Sequence, residues 1–134
     1  MEVYKSTYWS IFHDEKLKLL TPVWNSSSER MTEDLYKAEM ENYVALVEKY
    51  QPKQLLIDCR EFYFLIVPKV QEWIDKTIFP RVLAVGVMYV AIVVPLELIA
   101  NLSVQQAMEE SEGTKFITQY FDKSEDAKQW LLSL

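Results

Sequence analysis

The sequence predicts a single α/β domain built on a mixed, mostly parallel sheet. Three observations carry that expectation. Gln54–Arg60, QLLIDCR, is a short apolar run that ends abruptly in polar chemistry, as a central strand buried on both faces does where it leaves a parallel sheet. Val87–Val94 is a second continuous apolar run, stopped by Pro95. Helical patterns flank and separate the two, and strands alternating with helices favour a parallel sheet joined by helical crossovers.

The elements follow in order. Residues 3–12, VYKSTYWSIF, are rich in aromatic and β-branched side chains and read as one strand, and residues 16–24, KLKLLTPVW, as another. His13-Asp14-Glu15 between them reads as a hairpin turn. Asn25–Ser28 is a polar loop. Thr32 suits a helix N-cap, with Glu33 and Asp34 placing negative charge in the first turn. Tyr36, Met40, Tyr43, Val47 and Tyr50 then follow at spacings of four, three, four and three. They form one apolar stripe on a helix of about five turns. Pro52 closes that helix, because the residue before a proline avoids helical geometry.

The central strand spans 53–58. Phe62–Ile66 is open between a loop that inserts aromatics into the core and a short irregular extension of the strand. Pro68 opens the next helix, where its missing N–H is not needed. Val70, Trp73, Ile74, Thr77 and Ile78 give its buried face, and Pro80 ends or kinks it. After the strand Val87–Val94, Glu97–Glu110 is helical with a weaker pattern, and Ser103 is placed to cap a second short helix within it. Ser111–Thr114 is a turn. Lys115–Phe121 alternates Phe116, Thr118 and Tyr120 against Ile117, Gln119 and Phe121, and reads as a more exposed edge strand. Ser124 caps a final helix whose stripe is Ala127, Trp130, Leu131 and Leu134. The expected order is ββαβαβαβα, with about five strands and four helices, the first hairpin adding an antiparallel strand to one edge. No repeat, low-complexity stretch or linker divides residues 1–134.

Composition narrows the function. A chain of 134 residues, half of them hydrophobic and a quarter charged, is long enough and apolar enough for one good core. Gly86 and Gly113 are the only glycines, and neither GxGxxG nor GxxxxGK[ST] occurs, so no glycine-rich phosphate loop is expected. A net charge of −6 repels phosphate backbones and argues against nucleic-acid binding. Cys59 is the only cysteine, which excludes an internal disulfide, and one cysteine with one histidine is too few for a structural zinc site. No cofactor is indicated. MEVYKSTYWS lacks the basic-then-apolar pattern of a signal peptide. The most apolar stretch, Val82–Ile99, is interrupted by Pro95 and Glu97 and too short to span a bilayer. A cytoplasmic protein is the simplest expectation.

Three stretches carry a likeness to a known family. LLIDCREF is similar to a central strand ending in aspartate, VMYVAIVVP to the strand after it, and KFITQYFDKSEDAKQWL to a final strand and helix with the pattern F-D-x-x-x-x-A-x-x-W-L. Together they resemble the SpoIIAA-like domains, the anti-sigma-factor antagonist (STAS) family and its small lipid-binding relatives, over most of residues 40–134. The resemblance implies a non-enzymatic regulatory or protein-interaction module, with a carrier or sensor of a small apolar, lipid-like ligand as the alternative. It departs from the family at one point. STAS antagonists typically carry a phosphorylatable serine or threonine at the start of the helix after the central strand, and the corresponding stretch, Phe64–Lys69, has no hydroxyl.

Candidate sites cluster beyond the carboxyl ends of the strands, where open α/β sheets bind ligands. Asp58 and Arg60 end the central strand. Phe62, Tyr63 and Phe64 crowd the following loop. With Tyr4, Tyr8, Trp9, Phe12 and Trp24 they suit a core, a dimer interface or a pocket for an apolar ligand. Gln71, with Lys69 and Arg60, stands where free helix-start N–H groups accept an anion. The turn at Pro95 completes this rim, which is the expected contact surface for a protein partner, a second copy of the chain or an apolar small molecule. The enzymatic alternatives rest on Cys59, whose thiolate Arg60 would stabilise, and on His13 as the one available base. Cys59 reads more simply as a small buried hydrophobe, His13 as a solvated turn residue, and the pairs Asp14-Glu15 and Glu109-Glu110 as solvated faces.

Overall fold

A computed structural model describes residues 1–134. The six strands are β1 (Glu2–Lys5), β2 (Trp9–Asp14), β3 (Leu19–Trp24), β4 (Gln54–Asp58), β5 (Tyr89–Val93) and β6 (Ile117–Phe121). They form one sheet in sequential order, β1-β2-β3-β4-β5-β6. β1, β2 and β3 make an antiparallel meander, while β3, β4, β5 and β6 run parallel. The two apolar runs that led the sequence reading lie side by side, with Leu55 opposite Val90 and Ile57 opposite Ile92. The chain is thus α/β with a mixed sheet, and it has six strands where about five are expected.

The sixth strand comes from the first apolar stretch. Residues 3–12 do not form one strand but break at 6–8. The Ser6 hydroxyl donates to the buried Glu39 carboxylate and accepts from the Tyr8 amide, while the Tyr4 hydroxyl donates to the other Glu39 oxygen at 2.5 Å. That anchorage bends the chain back on itself. His13 and Asp14 therefore belong to β2, and the turn expected there falls later, at 15–18, where Lys18 adopts a left-handed φ of 53°.

Helix α1 (Glu33–Tyr50) is capped by Thr32, whose hydroxyl accepts from the Leu35 amide at 3.2 Å. It buries Tyr36, Met40, Tyr43 and Val47 of the stripe read from spacing, while Tyr50 at its end is half-buried. The second helical stretch passes through Pro80 instead of ending there. It runs as α2 (Pro68–Trp73), a π turn (Ile74–Ile78) and α3 (Phe79–Val85), a single rod. A proline ring collides with the carbonyl four residues back in a regular helix, and the wider π turn relieves that clash. Counted as one, the rod gives four helices with α1, α4 (Leu98–Met108) and α5 (Ser124–Leu132). Helix α4 is unbroken: Glu97 caps it, and Ser103 lies inside it, buried. Lys123, not Ser124, is the cap residue of α5.

When each strand is added beside the last with a right-handed crossover, every crossover helix lands on the same face. The core is divided accordingly. One cluster of 25 buried residues joins the inward side chains of β2–β5 to α1, the α2–α3 rod and α4. A separate cluster of six, Leu19, Leu56, Ala91, Val93, Ala127 and Leu131, closes the opposite face under α5 alone. Neighbouring residues alternate between the two: Leu55 faces the large cluster and Leu56 the small one. Arg81 on α3 ties the rod to α1, reaching Glu41 at 2.8 Å and Glu48 at 2.6 Å. Buried Asp75 accepts the Glu112 and Gly113 amides at 2.7 and 3.0 Å, fastening the turn after α4. No helix is long and apolar enough to cross a membrane.

Candidate functional site

The carboxyl ends of β4 and β5 form the rim that the sequence singles out, and its residues divide into buried and exposed. Asp58 is buried and committed to Arg60, with Nε to Oδ1 at 3.0 Å and Nη2 to Oδ2 at 2.7 Å. The Arg60 amide adds a third bond to Oδ1 at 3.1 Å. Hydrogen bonding to Asp58 holds the guanidinium above its ordinary pKa. This bidentate pair engages both Asp58 oxygens with the guanidinium. Cys59 points into the core, and burial, followed by the Asp58 charge, pushes its thiol pKa up. It remains a thiol at neutral pH, the form that does not attack.

Phe62 is buried, 4.8 Å from the Trp24 ring, and Phe64 stacks on Tyr36 at 4.6 Å. The aromatic loop therefore fills the core, and Tyr63 alone of the three edges toward a shallow surface between Glu29 and Glu97. Gln71 does not present a surface carboxamide. It is buried, and its Nε2 donates to the Ile66 carbonyl at 2.8 Å and to Gln106 Oε1 at 3.1 Å. Pro95 is buried as well. Lys69 projects into solvent and reaches Glu33 at 3.5 Å, at the start of α1. His13 is not a solvated turn residue: its ring lies 4.5 Å from Tyr50, and its buried Nε2 has no partner. No group of three or more His, Cys, Asp or Glu side chains is placed to hold a metal.

Two serines, Ser28 from the expected polar loop and Ser103 from the expected helix cap, fix the rim. Ser28, fully buried, donates to the Glu61 carbonyl and accepts from the Tyr63 amide, both at 3.0 Å. Ser103 accepts from the Ile66 amide at 3.3 Å and donates to the Ala100 carbonyl at 2.9 Å. The loop after β4 is thus pinned to α4. What it presents outward is apolar. Leu96, Leu98, Ile99 and Leu102 are 79, 68, 59 and 50 % exposed, and Leu65 and Val67 stand out from the pinned loop that Ser103 joins to α4. Single exposed leucines are ordinary, but four within seven residues beside two more make a patch. The available signal was the weak periodicity of 97–110, which is weak because that helix is apolar on two sides.

Beneath the rim the large cluster is imperfectly filled. A cavity of about 70 Å³ lies between the sheet and the three-helix layer, lined almost wholly by apolar side chains that include Trp9, Tyr36, Cys59, Phe62 and Ile66. The Trp9 indole N–H is buried and has no hydrogen-bond partner. Leaving such a donor unsatisfied costs about 1–3 kcal/mol. A second void of about 50 Å³ lies beside the first, sharing Met40, Tyr43, Ile57, Phe79 and Met108 with it. No family model, curated protein or solved structure matches the chain.

Proposed function

We propose that this protein is a non-enzymatic docking module that binds another protein through the apolar rim at the carboxyl end of its parallel strands. The observation that supports this most directly is the exposed row Leu96, Leu98, Ile99 and Leu102 set beside Leu65 and Val67. The buried serines and Gln71 hold the backbone beneath it still, so the partner meets a preformed surface and binding spends little on ordering. Glu29, Glu61 and Glu97 border the patch, and the chain carries a net charge of −6. The partner is accordingly a protein segment with an apolar face flanked by lysine or arginine. A second copy of this chain would bring the same acidic border against itself. The reading agrees in kind with the resemblance to STAS-like domains, without their phosphorylation switch, since Phe64–Lys69 offers no hydroxyl.

The test uses an amphipathic helical peptide of leucine and lysine, with a leucine–glutamate peptide of the same pattern as control. The lysine peptide is expected to shift the backbone NMR signals of 65–67 and 96–102, and the glutamate peptide to leave them in place. The double substitution Leu98→Glu, Ile99→Glu is expected to weaken lysine-peptide binding at least ~10-fold. Equal response to both peptides, shifts confined to another face, or self-association through this patch would overturn the reading.

The lipid-like alternative is narrowed by size. A void of about 70 Å³ is smaller than the ~150 Å³ cavity that accommodates benzene, so an acyl chain does not fit as the core stands.

A further inference from the structure

We infer that the free edge of β6 docks a second copy of this chain, antiparallel and about a two-fold axis through Gln119, so that two sheets become one. This surface is separate from the docking rim, and the inference does not rest on that reading.

The two edges of the sheet are guarded differently. β1 is short, breaks register between Glu2 and Tyr4, and carries exposed charge at both ends, Glu2 and Lys5. Brevity, bulges and charge are the devices that keep an edge from pairing with another chain. β6 has no bulge and no charge. It pairs with β5 residue for residue without a shift, and residues 116–121 include no charged residue, glycine or proline. Ile117, Gln119 and Tyr120 are exposed along it.

The ladder to β5 decides which backbone groups are free. The Ile117 amide donates to the Met88 carbonyl at 2.8 Å, and the Phe121 carbonyl accepts from the Val94 amide at 2.9 Å. Residues 117, 119 and 121 therefore turn their N–H and C=O toward β5, and Thr118 and Tyr120 turn theirs off the sheet. Antiparallel strands are held by opposed residues that exchange both bonds. When two copies of β6 meet about Gln119, Thr118 of one lies opposite Tyr120 of the other, and each free N–H meets a free C=O. An axis at Thr118 would instead set Tyr120 against Phe116, whose amide already donates to the Gly113 carbonyl. An axis at Tyr120 would set Thr118 against Asp122, beyond the strand.

The side chains suit the same register. Ile117, 47 % exposed, lies opposite Phe121 on the α5 face, and aromatic side chains opposite β-branched ones stabilise antiparallel pairs. Gln119 meets its own copy, and a carboxamide both donates and accepts. Past the strand ends Lys115 faces Lys123, but Lys115 is already paired with Glu112 at 2.5 Å. An uncharged edge offers a charged partner no counter-charge, whereas β6 matches itself in length, charge and hydrogen bonding. The pair leaves only the guarded β1 edges outermost, so the assembly closes at two copies.

The experiment follows sedimentation and backbone amide exchange of the intact protein at concentrations up to about 1 mM. A dimer is expected, and in it the Thr118 and Tyr120 amides should exchange at least ~10-fold more slowly. The Gln119 amide, bonded to β5, should keep one rate throughout. Gln119→Lys sets two ammonium groups directly opposite each other and should raise the dimer dissociation constant at least ~10-fold, as should Gln119→Glu with two carboxylates. An equal mixture of the two variants should pair again, because unlike charges then meet at the axis. A protein still monomeric at about 1 mM, dimers indifferent to both variants, no recovery on mixing, growth beyond two copies, or self-association that shifts 96–102 and leaves 117–121 in place would each overturn the inference.

Discussion

The two faces of the sheet are built differently, and the difference explains where this protein has room for function. One face carries α1, the α2–α3 rod and α4 over 25 buried residues; the other carries α5 over six. Sequential strand order with one crossover hand leaves no alternative to stacking the crossover helices on one side. That side is thick, aromatic and imperfectly filled, and both voids lie in it. The thin side is closed by aliphatic residues, with Ala91 and Ala127 fully buried where α5 meets the sheet. A thick layer holding large rigid rings leaves gaps between them; a thin one of aliphatic side chains leaves fewer.

The largest expected effect tests the thick side. Phe62→Ala and Trp9→Ala should each lower unfolding free energy by about 3–5 kcal/mol in urea titrations, because their rings are almost completely buried. Trp130, which covers the thin face and is only half-buried, should cost less than ~3 kcal/mol as alanine. Equal losses on both faces would mean that the aromatic layer does not dominate the core.

The thick side also holds three buried weak acids, which gives a second contrast. Burial raises the pKa values of Tyr36, Tyr43 and Cys59 above ordinary values of 10.0, 10.0 and 9.0. The unfolded chain therefore loses these protons first. Their contribution is complete below pH 9, and it is lost as pH rises past 9 for the thiol and past 10 for the phenols. Each group adds a slope of about 1.4 kcal/mol per pH unit once its unfolded form ionises. Denaturation midpoints should hold up to pH 9 and fall steeply above pH 10, and Tyr43→Phe should flatten that fall by one proton. An unchanged slope in Tyr43→Phe would break the argument.

The thin face makes the third prediction. Ala91, on β5 opposite Leu56 of β4, is fully buried in the small cluster. Ala91→Leu should cost about 1–3 kcal/mol by overpacking, whereas Ala107→Val, beside the larger void, should cost less. Thermal melts of the two variants make the comparison directly.

How much of this was legible follows the range of the forces involved. The adjacency of 55–57 and 87–94 was readable because a strand buried on both faces must be apolar throughout. The stripe of α1 was readable because periodicity is local. The break at 6–8 was not, since it depends on Glu39, 33 residues from Ser6. The passage of the rod through Pro80 was hidden because proline marks a clash without saying how the helix resolves it. Gln71 has the look of a surface residue at a helix start, and only its bonds to Ile66 and Gln106 explain its burial. Of the residues the sequence places on the rim at the strand ends, Asp58, Phe62, Gln71 and Pro95 are turned inward. Its outward residues lie in the helix whose pattern was weakest.

That helix supplies the smallest expected effect and the sharpest contrast between neighbouring positions. Leu98 and Ile99 are exposed, while Ala100, the next residue, is 1 % exposed against the core. If the outward residues serve docking and not folding, Leu98→Glu and Ile99→Glu should each change stability by no more than ~0.5 kcal/mol. Both should reduce binding of a hydrophobic dye, since the patch they interrupt is apolar. Ala100→Glu must force a carboxylate into the interior and should unfold the protein at far lower denaturant concentration. Equal tolerance at all three positions would show that the start of α4 is loosely held, and a loosely held α4 offers no preformed rim.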